Sequence, residues 1–92
     1  MAYRRPFTLQ QRREAMAALR SYEKHRQLLR RSYPPSDREE SATYDQYVQA
    51  IEEMRQELLR ADRTVRVERL NRLDAEARWL ATEYWRLRIG KQ

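Results

Sequence analysis

The chain has no cysteine and a single histidine, His25. No disulfide scaffold or thiolate metal centre can form, and one imidazole builds no transition-metal site unless carboxylates join it. His25 stands next to Lys24 and Arg26, away from the centre of any apolar face, and reads as a surface histidine. Glycine is almost as scarce. Gly90 stands alone, and proline is confined to Pro6, Pro34 and Pro35, so residues 36–89 contain no strong helix breaker. Helix is the economical reading of that length. No run of about 18 apolar residues occurs, and no apolar stretch follows the N-terminal charges, so neither a membrane-spanning helix nor a secretory leader is expected. Also missing are a glycine-rich phosphate loop, a Ser/His/Asp order and a paired-histidine helix motif. No enzyme, cofactor or metal is expected.

What is present is charge and a helical apolar rhythm. Charged residues make up 37% of the 92 positions and hydrophobic ones 40%, too apolar for disorder and charged enough to cover the outside of long helices. The net charge is +6, carried by 18 Arg against Lys24 and Lys91. Such an excess favours acidic surfaces, either phosphate backbones or carboxylate-rich proteins. A chain this short has a marginal core, to which association often adds. The first 33 residues are Arg-rich and amphipathic like an organellar transit segment, but Glu14 and Glu23 count against one. The expected location is cytoplasmic, with the mitochondrial matrix or another organelle interior as the alternative.

Residues 1–7 form a basic arm, and Thr8 with Gln11 fits a helix-opening capping box. The first helix is predicted over about 8–33, with a seam of Ala15, Leu19, Tyr22, Arg26, Leu29 and Tyr33, and with Leu9 and Met16 beside it. Pro34 and Pro35 end it. Ser36 is predicted to cap a second helix over about 36–62, whose seam is Tyr44, Tyr47, Ile51, Met54, Leu58, Ala61 and Val65. A third seam runs through Leu70, Leu73, Ala77, Leu80, Tyr84 and Leu87. The step from Val65 to Leu70 breaks phase, so either the chain turns near Asp62 to Thr64 or one helix of about 50 residues shows two faces. The expected fold is an all-α antiparallel three-helix bundle over 8–92, and the alternative is a hairpin with one long second helix.

Glu39, Glu40, Glu52, Glu53 and Glu57 read as a solvated acidic face of the second helix. Arg60, Arg63, Arg66, Arg69 and Arg72 form a ladder at a spacing of three, a candidate set of phosphate contacts. Arg26, inside the first seam, is a candidate for fixing register or partner. In the third helix, Trp79, Trp85 and Ile89 leave the seam in different directions, and Trp and Arg are enriched at binding hot spots. Trp79, Trp85, Ile89, Arg86 and Arg26 are therefore the candidate partner-binding residues. The expected function is a non-enzymatic accessory subunit, adaptor or inhibitor docking on a larger protein or its own copy. The alternative is a basic nucleic-acid-binding regulator. Size, charge and helix content resemble those of small three-helix mitochondrial proteins with a Leu-Tyr-Arg signature, but Leu19-Arg20-Ser21-Tyr22 lacks that tripeptide and the family is not assigned.

Overall fold

The structure is a computed structural model that describes residues 7–60 and 65–91. Three helices follow in order: α1 (Leu9–Ser32), α2 (Arg38–Leu58) and α3 (Val67–Ile89). They form an antiparallel three-helix bundle with no strand among the described residues. α2 and α3 are separate helices, the first of the two readings that the phase break left open. The continuous long helix is thereby set aside, because one straight helix would turn either Met54 or Leu70 out of the core, and both are buried.

The core follows the seams. Tyr47, Ala50, Ile51, Met54 and Leu58 of α2 face Leu70, Leu73, Ala77, Leu80, Tyr84 and Leu87 of α3, all buried. α1 buries only Leu19 and Leu29, with Ala15, Met16, Ala18 and Tyr22 partly covered. Burying each leucine contributes about 2 kcal/mol, so α1 is held by a thin apolar strip and by polar contacts across the bundle. The radius of gyration is 15.0 Å, against about 12 Å for a compact domain of this length. The bundle is accordingly long and flat, 50 × 26 × 19 Å.

Local chemistry sets the helix ends. At α1 both halves of the capping box form, Gln11 N–H to Thr8 Oγ1 at 3.1 Å and Thr8 N–H to Gln11 Oε1 at 2.9 Å. At α2 the cap is Asp37 rather than Ser36, with Glu40 N–H donating to Asp37 Oδ1 at 2.8 Å. Ser36 is drawn away because its N–H and hydroxyl both donate to the Glu40 carboxylate at 3.1 Å. The predicted turn at Asp62 to Thr64 lies outside the described residues, as do Ala61 and positions 1–6 of the arm. Arg66 precedes α3 and supplies no side-chain cap of its own. Tyr33 also departs from its expected seam position: it is exposed beyond the end of α1.

Candidate interaction surfaces

Two buried glutamates close the ends of the bundle, and both correct the reading of a solvated acidic face. Glu57 is 3% exposed and Glu40 1%. Glu57 accepts the Arg66 backbone N–H at 2.7 Å, capping α3 from the end of α2. Guanidinium nitrogens of Arg66, Arg69 and Arg60 lie 3.4, 3.7 and 3.7 Å from the same carboxylate. Burial pushes the Glu57 carboxyl up, but the Arg66 hydrogen bonds and the Arg66 and Arg60 charges outweigh it and hold the group below its ordinary value. Three members of the arginine ladder thus converge on an internal anion. Arg72 is exposed, and Arg63 lies outside the described residues.

Glu40 works the same way at the other end. Its oxygens accept from Arg88 Nη1 at 2.9 Å and Lys91 Nζ at 3.1 Å, besides Ser36. Lys91 also pairs with Asp37, and Arg88 donates to the Pro34 carbonyl at 2.7 Å. The turn between α1 and α2 is thereby tied to the end of α3. Burial pushes the Glu40 carboxyl up, but the hydrogen bonds from Ser36 and Lys91 hold it below its ordinary value. A sequence signal for both existed. Glu40 lies four residues before Tyr44 and Glu57 three after Met54, so each continues the α2 seam.

His25 is not a surface histidine. It is half-buried between α2 and α3, with Trp85 Nε1–H donating to its Nε2 at 3.0 Å and its Nδ1 2.9 Å from Tyr47 Oη. An indole N–H only donates, so Nε2 must carry the lone pair and Nδ1 the proton. The ring is then neutral and donates to Tyr47, whose hydroxyl faces the Tyr22 carbonyl at 3.5 Å. Burial pushes the His25 imidazole pKa down. One hydrogen-bonded line therefore joins all three helices. Trp85 also packs on Tyr33 and Tyr84, with ring centroids at 4.9 and 6.2 Å. This places Trp85 inside the bundle wall, apart from the other candidate partner residues. A second bridge, Tyr22 hydroxyl to Asp74 Oδ1 at 2.7 Å, joins α1 to α3.

Trp79 and Ile89 sit differently, being 61% and 64% exposed. With Arg72, Ala75, Thr82 and Arg86, also exposed, they form a row on α3 with gaps of three, four, three, four and three. That row repeats the inner seam two residues later. Arg86 in it is held by Glu83. Arg26 is half-buried on α1 and pairs with no carboxylate among the described residues, so the structure does not bring it to the α3 row.

Charge is segregated by helix. In α1, Arg12, Arg13, Arg20, Lys24, Arg26, Arg30 and Arg31 stand against Glu14 and Glu23, a net +5. In α2, Arg38 and Arg55 stand against Glu39, Glu40, Asp45, Glu52, Glu53 and Glu57, a net −4. A cleft of about 350 Å³ opens between α1 and α3, lined by Ala15, Ala18, Met54 and Leu70 with Glu14, Asp74 and Arg78. Among the described residues no three His, Asp or Glu side chains converge as a metal site, and no helix is long and apolar enough to cross a membrane.

No family model, curated protein or solved structure matches the chain.

Proposed function

We propose that the chain is a non-enzymatic helical interaction protein that docks on a larger protein, or on a second copy, through the outer row of α3. One observation carries this reading: Trp79 and Ile89 stand 61% and 64% exposed in a row with the spacing of a packed seam. A helix that carries a large aromatic and an aliphatic side chain at such spacing on its outer side offers a ridge to another helix. The large indole of Trp79 is the expected anchor, with Thr82, Arg86 and Ile89 continuing the contact about 15 Å along the axis. The marginal core of a flat bundle supports the same reading. Absence of cysteine fits a reducing interior such as the cytoplasm.

A photo-crosslinking side chain placed at Trp79 or Ile89 and, as control, at Gln49 on the outer face of α2 tests this in the native host. Discrete adducts at 79 and 89 but not at 49 are expected. Equal labelling at all three positions, or none at 79 and 89, would overturn the proposal.

A further inference from the structure

The outer face of α1 carries a straight basic row that no partner among the described residues uses. Arg13, Arg20, Lys24 and Arg31 are separated by seven, four and seven residues. At about 100° per residue they fall within about 20° of one line along the helix. All four are exposed, and none of their side chains is hydrogen-bonded or ion-paired among the described residues. Between them stand Ala17 and Gln27, also exposed, and no acid. Glu14 and Glu23 lie off to the two sides, and Glu23 is bound to Arg55 at 2.7 Å. The row spans about 27 Å at about 1.5 Å per residue. The contrast with the ladder of Arg60, Arg66 and Arg69 is plain, since those three are drawn to Glu57.

We infer that this α1 row binds the phosphate backbone of a nucleic-acid duplex without reading sequence. A protein-docking surface of this size needs an aromatic or aliphatic anchor at its centre and is depleted in lysine there, whereas the exposed aliphatics beside this row, Leu9 and Leu28, stand respectively before its first member and about 60° off its line, and its centre holds none. Single strands are bound by stacking bases on aromatic side chains, and the row has none. A membrane offers a plane of charge, and the row is one side chain wide. A duplex backbone is a rod of phosphates, and planar guanidinium groups suit it. The docking row on α3 uses different residues, so either proposal can fail without the other.

The test is fluorescence anisotropy of the full chain with labelled DNA and RNA duplexes of about 20 base pairs, titrated at several salt concentrations. Four neutralised phosphates give a salt slope of about −3.6, so affinity should fall at least about 150-fold between about 50 and 200 mM salt. Changing Arg13, Arg20, Lys24 and Arg31 together to Gln should reduce the slope by about 3.6. Changing Arg38 and Arg78, exposed and in neither row, to Gln removes charge elsewhere and should leave the slope in place. Arg→Lys at 13, 20 and 31 keeps charge and should keep binding. Circular dichroism checks that each variant is folded. The inference is overturned if neither duplex binds at about 50 mM salt or if both glutamine variants lose binding equally. It is also overturned if the row proves instead to drive salt-sensitive dimerisation or binding to anionic vesicles while duplexes are ignored.

Discussion

Acidification should loosen Trp85 through His25. At neutral pH the imidazole accepts the Trp85 N–H at 3.0 Å and meets Tyr47 Oη at 2.9 Å. Protonation converts Nε2 into a donor and sets N–H against N–H, while the contact to Tyr47 survives. Burial lowers the folded-state pKa below the ordinary 6.5, so the unfolded chain takes up the proton first. The His25 contribution is then complete above about pH 6.5 and is lost as pH falls below it. One titrating group limits the slope to about 1.4 kcal/mol per pH unit. Trp85 is half-buried, so water can take up part of the freed N–H, and a total loss of about 1 kcal/mol is expected. Urea melts at stepped pH between about 7.5 and 5 measure this, with Trp85 fluorescence in a Trp79→Phe background as a local probe. His25 is the only histidine, so His25→Gln should flatten the profile over that range. An equal slope in His25→Gln, or a fluorescence midpoint above about 6.5, would refute the reasoning.

Further outcomes follow from the same contacts. Glu57→Ala should destabilise by about 2 kcal/mol in chemical denaturation, because the Arg66 N–H loses its acceptor and three guanidinium groups lose their counter-charge. The Glu40 and Glu57 carboxyls are held below their ordinary values, so their contribution is full above about pH 4.5 and lost as pH falls further; acid unfolding monitored by circular dichroism should show it. The Tyr44 hydroxyl is buried with no partner among the described residues, so Tyr44→Phe should be neutral or stabilising by up to about 1 kcal/mol in thermal melts. Trp85→Ala should destabilise by about 2 kcal/mol, against under about 0.5 for Trp79→Ala, in paired urea melts.

Much of the architecture was legible in the sequence because helical periodicity is local. The α3 seam from Leu70 to Leu87 is buried at every position that spacing assigned to it. Thr8 and Gln11 announced the start of α1 because a capping box needs only four consecutive residues. Ser36 misled by one position, since its choice of partner depends on Glu40 being buried and on Lys91 and Arg88 arriving from the far end of the chain. The candidate surface was legible in part. Trp79 and Ile89 could be placed off the α3 seam, but whether a flanking residue is covered depends on the neighbouring helix. Trp85 is covered because His25 and Tyr33 reach it from α1 and its end.

By itself the sequence determined that the chain is helical, where its apolar faces run, and that those of the second and third segments are out of phase, while a turn and one long helix both remained open. It also placed four cations on one line of α1, since a residue's angle around a helix follows from its number. Tertiary structure alone decided which charges remain for other molecules. Closure of the bundle brings Arg66 and Arg69 to Glu57 and Arg88 and Lys91 to Glu40, leaving Arg13, Arg20, Lys24 and Arg31 outside. The physical reason is that a helix fixes the direction of a side chain, whereas its partner is fixed by where two turns and the packing of three helices bring the rest of the chain.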